Sequence, residues 1–421
     1  MNFFLWLNSH RWQIAWWLCV VTVPWGDKIN NASLIFLAVT WLFDSGLSKK
    51  WEQLKTARWV WPFFVYYGLL VVGLIYTHDL ANGFFTLEKK ISFIALPLIA
   101  ATGRTLDNDF IGFLKRCFVY SCFIVVAICV GAAIFHLFYD TIVPANFDAL
   151  GDAQFRALHP FASVAWSHFS YIQLAQWMGL HPAYFSMYLV FCLSVLFIEE
   201  SKSNKDRVVN IFIASVMVAG LAFLASRMAI LAFICICIYL GWRKTQELRM
   251  IPLTPIIAVV CICFLLWLNP VARFRVIEEP ATTTYRADSK VTDWNSVSYR
   301  LLEWKGSWSI IREKILFGTG TGGSAMAMND FYDHYSKSTQ GLGYNVHNQY
   351  LQTWTESGFL GLVVFLLCLW LPLFRVPVDR SYIAFILTFS LMCLTESVVE
   401  RQKGIVFFTL FQSLFLGFKK Y

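Results

Sequence analysis

Long apolar runs separated by short polar connections dominate the chain. Twelve stand out, at about 12–25, 31–43, 59–76, 91–103, 113–138, 178–198, 208–224, 228–242, 251–268, 350–374, 381–395 and 404–418. A membrane-spanning helix takes about 20 apolar residues, and several of these runs fall short of that. The pattern predicts an all-α, polytopic membrane protein with about twelve transmembrane helices and no obvious internal repeat. Residues 1–268 would hold spans one to nine, with a polar segment at 139–177. Residues 269–349 would form a large loop, and 350–421 spans ten to twelve. Inside the loop, Leu301, Trp304, Trp308, Ile311 and Ile315 recur with 3-4-3-4 spacing. That spacing predicts an amphipathic helix, with Lys305, Arg312 and Lys314 on or near its polar side. Such a helix lies at a membrane surface, as a lid over the ends of the spans.

Composition agrees and narrows the class. The 421 residues are 58% hydrophobic and 14% charged, where a soluble domain is about a quarter charged. A soluble multidomain enzyme is excluded. The 39 Phe, 17 Tyr and 18 Trp against 23 Gly and 12 Pro exclude a disordered or collagen-like chain. The net charge of +8 would suggest nucleic acid in a soluble protein. Here it reads as Lys and Arg retained in cytoplasmic connections, and no nucleic-acid partner is expected. One alternating set of connections carries eighteen Lys and Arg, including Lys49, Lys50, Lys202, Arg243, Arg249, Lys419 and Lys420; the short connections of the other set carry seven. Both termini are therefore expected in the cytoplasm. Segment 139–177 and loop 269–349 are expected outside, in the periplasm of a Gram-negative cell. The eleven cysteines fall in or beside apolar runs and read as small buried side chains. No cleavable signal peptide is evident, because Trp12–Val23 is followed by Pro24-Trp25-Gly26-Asp27.

The residues able to do chemistry gather on the expected outer side. Ser226-Arg227 lies between two apolar runs with almost no loop. An Arg at that depth is costly unless paired or hydrated. Either it snorkels to lipid phosphate, or it clamps an anion bidentately. Arg300, one turn before Trp304, would reach a phosphate beneath the lid. Gly318-Thr319-Gly320-Thr321-Gly322-Gly323 matches G-x-G-x-x-G, but no strand-helix-strand unit surrounds it. A flexible hinge after the lid helix is the simpler reading, and a backbone cradle for an anion the alternative. His347 sits where the long loop re-enters the membrane, with Asn348 beside it, and is either structural or a general base. Glu88-Lys89-Lys90, His181-Pro182 with Tyr184, and Glu396, Glu400, Arg401 and Lys403 read by default as ordinary interfacial groups. Glu88 and Lys89 are also candidates to line a cavity. No metal site is evident. A transporter would place its ionisable residues mid-span in repeated, interrupted helices; here the polar groups are one-sided.

Taken in order, Leu87-Glu88-Lys89, His181-Pro182, Ser226-Arg227, Arg300 with Trp304, Gly318 and Gly320, and His347-Asn348-x-Tyr350-Leu351 followed by Gly358 and Gly361 resemble the O-antigen ligase/polymerase superfamily of membrane glycosyltransferases. The resemblance implies a GT-C-like, metal-independent enzyme of the inner membrane that needs no cofactor. It would transfer a glycan from undecaprenyl pyrophosphate to an acceptor at the outer face. Lipid A–core is the acceptor in ligases, a second lipid-linked repeat in polymerases, and a protein hydroxyl in a related branch. Arg227 and Arg300 would then bind the pyrophosphate and His347 would act as base, with Glu88, Lys89, His181, Trp304, Gly318, Gly320, Asn348 and Tyr350 as cavity-lining candidates. The partners implied are the lipid-linked donor, the acceptor and the surrounding membrane lipids.

Overall fold

A computed structural model describes residues 3–139, 163–199, 203–248, 253–281, 295–337, 339–375 and 379–418. Residues 140–162 and 282–294, and with them parts of both segments expected on the outer side, lie outside the described residues, as do Lys202, Arg249, Lys419 and Lys420. Each of the twelve apolar runs coincides with a helix, and no strand occurs among the described residues. By length and apolarity three helices qualify as membrane crossings, Asn108–Phe138, Asn204–Leu224 and, counted straight through its kink at Gly358, Gln349–Phe374. Counting three sharply bent pairs as single spans brings the number to six. The fold is thus all-helical and of membrane type, and helix length alone supports fewer crossings than twelve.

The bends have local causes. His181-Pro182 and Asn269-Pro270 each put a capping side chain before a proline, which has no N–H to leave unsatisfied in a first helical turn. The His181 ring accepts from the amide of Ala183 at 3.4 Å. Asn269 Oδ1 accepts from the amide of Ala272 at 3.1 Å. The chain turns by 83° and 103° at these two corners. The expected span 350–374 also needs correcting. Gly358 interrupts its helix with φ 69° and ψ −172°, and Tyr350 packs 6.3 Å from Phe365, fifteen residues on. A straight helix would separate them by about 22 Å, so residues 349–357 fold back along the rest. Glycine is required here: a Cβ would sit 2.1 Å from the carbonyl oxygen of Leu316.

The chain forms two compact units. One comprises residues 1–118, 303–378 and 396–421. Its core is a ring cluster of Phe63, Tyr66, Phe93, Phe365 and Phe408, with neighbouring centroids 5.1–6.4 Å apart. These rings join helices Trp61–Gly73, Ser92–Thr102, Gln349–Arg375 and Gln402–Leu416. Each such ring removes a large apolar area from solvent or lipid, and ring pairs of this kind add about 1 kcal/mol each.

The other unit comprises residues 119–302 and 379–395. Its centre is helix Pro182–Ile198, buried at every residue from Pro182 to Val195. It packs on Asn204–Leu224, Arg227–Leu248 and Arg380–Met392. A helix apolar all round belongs in such a position.

The helix expected within the loop forms over Ser296–Glu313. Leu301, Trp308 and the following Ile315 are exposed, whereas Leu302, Glu303, Ser307 and Ile311 are buried. The spacing identified the helix; Ile311 of its apolar stripe turns inward, on a side that also carries Glu303 and Ser307, which meet His347 and Thr355. The cysteines follow expectation in part. Seven are buried, but Cys261 and Cys263 are exposed on the apolar helix Leu253–Leu268.

Candidate functional site

Arg227 opens its helix after an abrupt turn. The preceding helix ends at Leu224, and Ala225 adopts φ +48°, a conformation uncommon for a residue with a Cβ. No loop intervenes, so the guanidinium stays close to the helix end. Its Nε donates to the carbonyl of Arg275 at 2.6 Å, one terminal nitrogen donates to Ser296 Oγ at 3.3 Å, and the other pairs with Glu279. Glu279 in turn accepts from the amide and hydroxyl of Ser296 at 2.9 and 2.7 Å. Burial lowers the Arg227 pKa; Glu279 opposes this, and nearby Arg275 and Arg300 add to it. An Arg remains charged under such pressure. Arg275 and Arg300 thus stand close enough to act on Arg227 electrostatically, beside Glu279. The snorkelling reading of Arg227 gives way to this network, whereas the sequence had marked neither Arg275 nor Glu279. Both sit beyond the Asn269-Pro270 corner, and only folding brings them to Arg227.

His347 belongs to the other unit, with Glu303, Trp304 and the glycine segment. His347 has φ +45°, a strained setting of the kind that clusters at functional sites. Its amide donates to Asn345 Oδ1 at 3.1 Å. Asn348 caps the helix that follows, accepting from the amide of Leu351 at 3.0 Å. The ring Nδ1 lies 3.0 Å from Glu303, whose side chain is 3% exposed against 31% for the histidine. A buried carboxylate on Nδ1 fixes the tautomer that leaves Nε2 as the proton acceptor. Glu303, one place before Trp304, is a third residue that the sequence did not single out. The Trp304 indole nitrogen is buried and makes no hydrogen bond among the described residues.

Residues 212–366 match the model of the O-antigen ligase family. No curated protein matches the chain. The family match spans Arg227, Arg275, Glu279, Arg300, Glu303, Gly318, Gly320, His347 and Gly358, and it bears out the resemblance drawn from the sequence. Glu88, Lys89 and His181 lie outside the matched stretch.

Within the O-antigen ligase region, the glycine segment is neither a loose hinge nor an anion cradle. Its amides are already engaged. Thr319 N–H donates to Thr355 O at 2.8 Å, Gly320 to Glu356 O at 3.0 Å and Thr321 to Gly73 O at 3.3 Å. Gly322 N–H donates to Glu356 Oε1 at 3.0 Å. Gly320 and Gly322 have φ +85° and +81° and press directly on backbone around Gly73 and Gly83. The segment is a wedge between helices, and its glycines allow the close approach.

The groups taken as ordinary interfacial pairs are instead a buried network. Lys90, fully buried, donates to Glu356 at 2.8 Å and pairs with Glu400 at 2.6 Å; Lys89 pairs with Glu400 at 3.5 Å. Burial disfavours the charge on Lys90, but Glu356 and Glu400 outweigh it and raise its pKa well above the usual value. Glu400 is likewise pushed up by burial and pulled below the ordinary carboxylate range by Lys90 and Lys89. Glu88 is exposed. The sequence singled out the right tripeptide and the less important pair of its members. Tyr350 is half-buried among Phe365 and Trp370. His181 is the helix cap already described, facing Tyr171 and Tyr184.

Proposed function

We propose that the protein is a glycosyltransferase that moves a glycan from undecaprenyl pyrophosphate to a sugar hydroxyl of lipid A–core at the periplasmic face of the inner membrane. The observation that carries this reading is the gathering of Arg275 and Arg300 about Arg227, inside the stretch matching the O-antigen ligase family. A pyrophosphate esterified at both ends carries one negative charge on each phosphate, so the cluster suits it. Arg227 and Arg300 hold the phosphate oxygens. They also stabilise the negative charge that grows on the departing pyrophosphate, an effect worth about 3 kcal/mol per donor group.

His347 accepts the proton of the acceptor hydroxyl, with Glu303 holding the imidazole and stabilising its protonated form. The new C–O bond forms at the anomeric carbon opposite the pyrophosphate, the old bond breaks, and undecaprenyl pyrophosphate leaves. The configuration inverts. The guanidinium groups supply the charge that a divalent metal would otherwise supply, so transfer should survive EDTA. The twelve-span, GT-C-like arrangement, with both termini cytoplasmic, belongs to the same proposal. It is supported by the coincidence of each apolar run with a helix and by the asymmetry of Lys and Arg.

A polymerase or a protein O-oligosaccharyltransferase uses the same donor chemistry. The acceptor therefore decides. Purified protein is supplied with lipid-linked glycan, with and without lipid A–core. A glycosylated core is expected. Longer lipid-linked chains without core consumption would make the protein a polymerase, and no transfer to any hydroxyl would remove the enzymatic reading.

A further inference from the structure

Arg275 is held in an unusual way. It is 8% exposed, yet its guanidinium makes no hydrogen bond to any described residue, and its Nε is buried without a partner. Its carbonyl accepts from Arg227, so its backbone is already committed to the basic cluster. The guanidinium instead lies on the ring of Tyr171, 3.4 Å from the centroid. A cation on an aromatic face is stabilised through that face, and the N–H donors along its edge remain available. Two further features mark the spot. Arg275 stands in a π-helical turn, Phe274–Glu278, a rare geometry that recurs at functional sites. Tyr171, which supports it, has φ +48°, a strained value for a tyrosine. A buried cation normally has a carboxylate partner. Here a ring takes that place, and Glu279 is already engaged by Arg227 and Ser296.

We propose that Arg275 is a third phosphate-binding arginine, kept unpaired by Tyr171 so that its donors meet a phosphate of the lipid pyrophosphate. The inference rests on the reading of the Arg227 cluster as the donor site. In the resting protein the ring stabilises the charge without competing for the N–H groups. When the donor binds, the guanidinium edge gains the anionic oxygens it lacks, at no cost in broken ion pairs.

The test is binding of undecaprenyl pyrophosphate to the purified full-length protein and to Arg275→Gln, Arg275→Lys, Tyr171→Leu and Arg227→Ala. Melting of each unliganded variant is measured alongside. Arg275→Gln is expected to weaken binding by about tenfold or more, as befits loss of charge-assisted hydrogen bonds. Tyr171→Leu should weaken it in the same direction. Arg275→Lys keeps the charge but loses the planar fork, and should fall between wild type and Arg275→Gln. If Arg275→Gln does not fold, Arg275→Lys decides: wild-type affinity in that variant overturns the proposal. Wild-type affinity in a folded Arg275→Gln, with loss in Arg227→Ala, also overturns it and leaves the donor site standing. If Arg227→Ala also binds normally, the donor-site reading itself is wrong.

Discussion

Lys90→Met removes the single ammonium that two buried carboxylates share. Lys90 is 0% exposed, Glu356 2% and Glu400 13%, so solvent screens little of the interaction. After the substitution Glu356 keeps the amide of Gly322 at 3.0 Å, and Glu400 keeps Lys89 at 3.5 Å. Neither replaces the contacts at 2.8 and 2.6 Å. Breaking a buried pair by removing one partner costs about 3–5 kcal/mol, because the other charge is left stranded. The residual partners place this case near the lower end of that range. Lys55→Met is the control: its bridge to Glu52 is 53% and 70% exposed, and such pairs contribute about 0–1 kcal/mol. The assay is thermal melting of the purified protein in detergent across a pH series.

The wild-type pH response has a definite sign. Glu400 is depressed in the fold, so its contribution is complete above the ordinary value of 4.5 and fades as pH falls through its lower folded pKa. Lys90 is raised, so its contribution is complete below 10.5 and fades as pH rises through its higher folded pKa. Both are fully present between those values. In Lys90→Met, Glu400 loses its strongest neutralising neighbour and takes up a proton more readily. The penalty should therefore shrink between about pH 8 and about pH 5. If Lys90→Met melts with Lys55→Met throughout that range, the network is not stabilising and the reasoning fails.

His347→Ala should cut transfer by about a hundredfold or more while leaving lipid pyrophosphate binding nearly intact; robust turnover would remove it as the base. Glu303→Gln should lower kcat by less than that with little change in donor affinity, and an unchanged kcat would deny Glu303 any part in holding the imidazole. Arg227→Ala should abolish both donor binding and transfer, with Arg227→Lys recovering only part, and full recovery by lysine would argue against bidentate recognition. Gly322→Ala should destabilise the protein by about 1–3 kcal/mol, because φ is +81° and the new Cβ would stand 2.3 Å from the Gly83 nitrogen. A wild-type melting temperature would show that the wedge yields.

Much of this protein is legible along the chain. Apolar runs of near-span length are sufficient to name an all-helical membrane protein, because in lipid a backbone must satisfy its own hydrogen bonds. Arg227 and His347 stand out because each is an ionisable group at the edge of a long apolar run. Groups whose meaning comes from a distant partner stayed hidden. Glu303 looked like one polar residue on a lid helix until folding set it against His347. Lys90, Glu356 and Glu400 come from three separate stretches, and no local pattern announces that they neutralise one another. Gly318–Gly323 read as a loop, whereas its amides are consumed by Gly73, Thr355 and Glu356. Local sequence determined which segments are helices, since that follows from hydrophobicity and hydrogen bonding within each segment. Tertiary structure alone decided what the buried side of helix Ser296–Glu313 meets, where the chain folds back at Gly358 and which charges share a site, because those depend on contacts between residues tens to hundreds of positions apart.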